Sequence, residues 1–146
     1  MSLSNAAETD LLKLLFQNTD WANIGDAGGL RGSVAAGSYY ISLHTSDPGE
    51  TGDQTTNETA YTNYARVAVA RSSGGWTVST NTVSNAAVIN FAQCGVTGAT
   101  ITHFAIGRAS SGAGEIVLSG ALNSSLAVSQ NITPTFAIGD LTATAD

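Results

Sequence analysis

A chain of 146 residues is long enough to bury one core without metal or disulfide staples, and short for two domains. Charged residues make up 11% and the net charge is −6, so the surface is neutral and polar and suits contact with other protein copies. The cations Lys13, Arg31, Arg66, Arg71 and Arg108 are dispersed, which excludes a phosphate-binding face and therefore nucleic acid as a partner.

No apolar run approaches a membrane span and no basic leader precedes one, so the expectation is a soluble, unexported chain with no membrane partner. Cys94 is the single cysteine; it forms no intramolecular disulfide and reads as a small buried hydrophobe. Sequons at Asn57, Asn123 and Asn131 are expected by chance in so Asn- and Thr-rich a chain, and are read as unmodified.

The first predicted element is a helix from about Asn5 to about Asn18. Asn5 is placed to cap the amide of Glu8, and "LLKLLF" sets Leu11/Leu15 and Leu12/Phe16 four apart on a broad apolar face. Such a helix must cover a sheet or a neighbouring subunit. From Asn18 to Ser38 the chain reads as a loop. Its stretch "IGDAGGLRGSVAAGS" holds five glycines, with Trp21 and Leu30 as anchors.

After Ser38 the apolar period changes from about 3.6 to 2. "SYYISLHT" sets Tyr39, Ile41 and Leu43 against Tyr40, Ser42 and His44. Further strands are predicted at "YARVAVAR", "GWTVST", "AVINFA", "ATITHFAIG", "GEIVLSGAL", "LAVSQNITPTFAI" and "DLTATA". "ARSSGGWTV" and "GRASSGAGEIV" look alike, and both read as hairpin connections in which an arginine closes a strand. The fold class is all-β, an antiparallel β-sandwich or jelly-roll-like barrel with one N-terminal helix; the lack of crossover helices excludes βαβ architecture. Residues 1–37 form a helix and Gly-rich arm, and residues 38–146 a β domain.

Candidate chemistry is sparse. His44 and His103 sit in strand patterns, and no G-x-S-x-G elbow accompanies them. With Cys94 they lack the short paired spacings of a zinc site. Neither G-x-G-x-x-G nor the P-loop lysine motif occurs. Asp47, Glu50 and Asp53 recur every three residues, unlike the alternating ligands of a calcium loop. They read as an exposed acidic turn in which Pro48 and Gly49 take the central type II positions. Trp21, Tyr39, Tyr40, Tyr61, Tyr64 and Trp76 offer rings for sugar stacking, but Tyr39 and Trp76 share faces with core residues. The reading is therefore of no enzyme, no catalytic or metal residues and no cofactor.

The order of "LSNAAETDLLKLLFQNTDW", "YYISLHTSDPGETGDQTTNE", "YTNYARVAVAR", "ITHFAIGRASSGAGEIVLSGAL" and "ITPTFAIGDLTATAD" resembles a family of small tailed-bacteriophage virion proteins over nearly the whole chain. The Gly-rich segment Gly25 to Gly37 departs from shorter members. The resemblance implies a virion structural protein, serving in the family as head decoration (cement), tail fibre or minor tail protein. The first expectation is capsid decoration. The chain would form a homotrimer on the outer capsid surface, bound to the major capsid protein and to copies of itself. The alternative is a tail-fibre or minor tail protein that binds host glycans through exposed Tyr61 or Tyr64. Candidate subunit-interface residues are Leu11, Leu12, Leu15, Phe16, Trp21, Asp47, Glu50 and Asp53.

Overall fold

The computed structural model describes residues 3–25 and 29–145, so part of the Gly-rich arm, residues 26–28, lies outside the described residues. Among the described residues one helix precedes nine strands: α1 (Asn5–Gln17), β1 (Ser38–His44), β2 (Val67–Ala70), β3 (Trp76–Ser79), β4 (Thr82–Asn85), β5 (Ile89–Asn90), β6 (Ala99–Gly107), β7 (Ile116–Val128), β8 (Thr135–Phe136) and β9 (Thr142–Thr144). The all-β class with one N-terminal helix is what the chain adopts. Its strands lie in antiparallel sheets with no closed barrel among the described residues.

The chain forms two compact units. The first comprises Met1–Ser38, Ala70–Ile89 and Phe136–Asp146. In it α1 packs on β3 and β4 of the sheet β3-β4-β9. The helix begins at Asn5, but its cap is the residue before: Ser4, in extended backbone, accepts from the amide of Ala7 at 3.3 Å. A serine hydroxyl is short enough to reach the third helical amide, which leaves Asn5 inside the first turn. Asn18 ends the helix at φ 55°, in the left-handed region that asparagine tolerates. Phe16 is fully buried and meets Trp76 edge to face, with ring centroids 4.9 Å apart. Arg71 joins three carbonyls here, with Nε on Leu15 O (2.6 Å), Nη2 on Leu14 O (2.8 Å) and Nη1 on Ala36 O (3.1 Å). The first two are carbonyls that a helix end leaves without intrahelical donors.

The second unit, Tyr39–Val69 with Asn90–Thr135, is built on the sheet β2-β1-β6-β7. β1 and β6 pair from Tyr40↔Gly107 to His44↔His103, so the two histidines are cross-strand neighbours. Tyr39, Ile41 and Leu43 are buried as the alternation predicts, but Ser42 and His44 on the opposite face are buried as well. The reason is the segment after β1, which folds back over that face.

The two similar connections part company. "GRASSGAGEIV" does link an antiparallel pair, β6 and β7. "ARSSGGWTV" is not a hairpin, because β2 and β3 belong to different sheets, and its arginine is committed to helix carbonyls instead. "LAVSQNITPTFAI" is likewise not one strand. β7 ends at Val128, and a turn in which Ile132 N–H bonds Ser129 O precedes β8. β4 has no counterpart among the predicted strands.

Candidate functional site

The segment from Thr45 to Thr59 is a strap of turns laid on β1. Its ends are fixed by Thr45 N–H to Asn57 O and Thr59 N–H to Leu43 O, both 2.9 Å. Asp47 accepts from the amide of Gly49 at 2.8 Å, and Gly49 has φ +70°, as a type II turn requires. Asp53 accepts from the amide and the hydroxyl of Thr55. The hydroxyl first and the amide second hold its carboxyl below the ordinary value of 3.8. Asp47 and Asp53 are thus spent on turn geometry. Glu50 is exposed, and among the described residues no cluster is suited to a metal ion.

The strap presents three groups, the first two of them to β1. Gln54, fully buried, donates to Tyr40 O (3.1 Å) and accepts from the amide of Ala109 (3.0 Å). It occupies a slot that only glycine leaves open: a Cβ on Gly107 would sit 2.1 Å from its Cδ, and one on Gly114 2.5 Å from its Oε1. The carbonyl of Thr56 lies 2.8 Å from His44 Nδ1, so that nitrogen carries the proton, and Nε2 accepts from the Ser42 hydroxyl at 2.9 Å. Burial pushes the His44 imidazole below its ordinary 6.5. Both Ser42 and His44 are fully enclosed, which removes this Ser–His contact from any substrate.

Glu58 is the third group. It receives a fork from Arg66, Nε to Oε1 at 2.7 Å and Nη2 to Oε2 at 2.8 Å, and Oε1 also accepts from the Tyr64 hydroxyl at 2.9 Å. Arg66 further donates to Ala109 O (2.9 Å) and Gly112 O (2.8 Å), so it ties the strap to the β6–β7 connection. Its side chain is 3% exposed and that of Glu58 17%. Such a desolvated bidentate pair is geometrically specific. The Glu58 hydrogen bond raises the Arg66 pKa, and burial raises that of Tyr64. Beside the pair opens a cleft of about 260 Å³ lined by Glu58, Tyr64, Ala65, Arg66 and Ser110 to Gly112.

The predicted residues are therefore scattered. Leu12 and Phe16 point into the core of the helix-bearing unit, while Leu11, Leu15 and Trp21 are half-buried. Trp21 pairs with Leu30 through two 2.8 Å backbone bonds. Tyr61 is not an exposed ring: it is 2% exposed, with its hydroxyl on Ala92 O at 2.9 Å. Tyr64 is half-buried, its hydroxyl held between Glu58 and the amide of Leu43. Gln54, Glu58 and Arg66 were not singled out from the sequence. Their spacing has no motif form, and a glutamate eight residues before an arginine carries no local signal.

The family described as Podophage GP4 fiber I protein gp80 matches residues 2–144. The chain belongs to this family. It is therefore a phage virion structural protein of a fibre family, and the match lends nothing to a place on the capsid surface. No curated protein matches the chain. In this gp80 family member, one arginine at the Glu58–Arg66 junction holds the strap and the β6–β7 connection together.

Proposed function

We propose that the chain is a structural component of the phage tail fibre, acting through assembly with copies of itself and without catalysis. The observation that carries this reading is the fibre-family match over residues 2–144. The low charge and the commitment of His44 and Arg66 to hydrogen bonds within the fold agree with a building block more than with a reactive site. The test is immunogold labelling of intact virions with antibody raised to the purified protein. Gold on the tail appendages is expected; gold distributed over the head would overturn the reading in favour of capsid decoration.

A further inference from the structure

β7 is an edge strand: its sheet runs β2-β1-β6-β7, so β6 alone pairs with it among the described residues. Successive residues of an antiparallel strand aim their N–H and C=O groups alternately to one side and the other. On the outer side of Ile116–Val128 no backbone group is bonded among the described residues. Folded chains ordinarily blunt such an edge by shortness, charge, proline or a bulge. The opposite edge, β2, is short, at 4 residues. β7 runs for 13 residues, IVLSGALNSSLAV, with no charge and no proline. It is bulged at residues 122–125, since His103 pairs with Ala121 but Ile101 with Leu126. Before that bulge Leu118–Ala121 lies in regular register opposite His103–Ile106, and Ser119 and Ala121 are exposed.

We infer that this regular run pairs antiparallel with the same run of a second copy, about a two-fold axis on Ser119, Gly120 or Ala121. An antiparallel strand is its own hydrogen-bonding complement under such an axis, and the two-fold contact closes on itself. Charge favours a second copy as well. Each copy carries −6, and an uncharged strand lets two of them meet without setting like charges opposite one another. A foreign strand, by contrast, is selected through pockets for its alternate side chains, and the small residues Ser119, Gly120 and Ala121 build none. The inference rests on the assembly from copies proposed above and names the surface and symmetry of that contact. Where in the virion the chain sits does not enter it.

The test is sedimentation velocity on the whole chain from about 1 μM to about 1 mM, beside the double variant Ser119→Lys/Ala121→Lys. With the axis on any of the three residues, a lysine of one copy faces a lysine of the other. The expected result is a wild-type dimer whose Kd rises by about tenfold or more in the variant, while the amide NMR signals of Ile41 and Leu43 keep their positions. Cysteine trapping reads the geometry with gentler substitutions. Ser119→Cys, Ala121→Cys and the two together should yield a disulfide-linked dimer in at least one case, because directly opposed residues have Cα atoms about 4.5–5.5 Å apart, within disulfide range. Native Cys94 is 1% exposed, so the unsubstituted chain is the control that should not cross-link. Self-association that the lysines leave unchanged, or that none of the three cysteine variants traps, would overturn the β7 contact and leave assembly from copies standing. A chain monomeric at every concentration would overturn both.

Discussion

Replacing Arg66 by Met isolates what the junction contributes. The substitution keeps most of the side-chain stem and deletes four bonds, two to Glu58 and one each to the carbonyls of Ala109 and Gly112. Gly112 is exposed and Ala109 half-buried, so water can reach toward their carbonyls and that part of the loss is small. Glu58 cannot escape so easily: its side chain is 17% exposed, and it is left with the Tyr64 hydroxyl alone. Breaking a buried pair from one side costs about 3–5 kcal/mol. In a unit of this size each kcal/mol moves the midpoint by about 4–8 °C, so the sheet unit should melt more than about 10 °C earlier. Trp21 and Trp76 both lie in the helix-bearing unit, which makes tryptophan fluorescence a poor reporter of this change. The amide NMR signals of Ile41, Leu43 and Ala105, followed through a thermal series, report it directly. The double variant Glu58→Leu/Arg66→Met removes the stranded charge and should recover more than half of the loss. A single-variant shift below about 3 °C, or a double variant no better than the single, would refute the account of Arg66 as a desolvated brace.

Four further outcomes follow from the same geometry. Gly107→Ala places a methyl 2.1 Å from Gln54 Cδ and should destabilise the sheet unit by about 2–4 kcal/mol in urea titration, within the range of severe overpacking. Arg71→Met frees the carbonyls of Leu14, Leu15 and Ala36 and should cost about 2–3 kcal/mol, read by Trp76 fluorescence; Arg71→Lys should restore only part, because an ammonium cannot fork. His44 is held below 6.5 by burial, so the unfolded chain takes up the proton first. Its contribution is complete above about pH 6.5 and declines as pH falls below it, and His44→Gln should flatten that slope in pH-dependent denaturation. For Asp53, whose carboxyl is depressed chiefly by the Thr55 hydroxyl, the window lies lower, below the ordinary 3.8; Thr55→Val should move its NMR titration back up toward that value.

What the sequence made legible was local. Capping residues with apolar period located α1 to within a residue at each end, and alternation located β6 with its full extent, because both are set by side chains a few positions apart. Sheet membership was not legible. Arg71 and Arg108 sit in nearly identical strings, yet one bonds helix carbonyls fifty-six and fifty-seven residues away and the other pairs with Glu115 at the surface. A short Ser-Gly connection fixes only that the chain turns, and the partner of the next strand is decided by non-local packing.

The acidic stretch after β1 shows why the site was missed. Its Asp47, Pro48, Gly49 and Asp53 are turn formers in sequence and in structure, and that agreement concealed their consequence. By fixing two successive turns they lay residues 54 and 56 over the second face of β1, where a glutamine side chain and a carbonyl meet the strand, and they set the Glu58 carboxylate against Arg66. That cover is why Ser42 and His44 are buried despite falling on the polar side of the alternation, and why a strand that reads as half-exposed is enclosed on both faces. Burial on the second face in turn requires glycine at 107 and 114 and a forked cation opposite Glu58. Each of those residues is ordinary in isolation; their shared constraint arises only once the strap is in place.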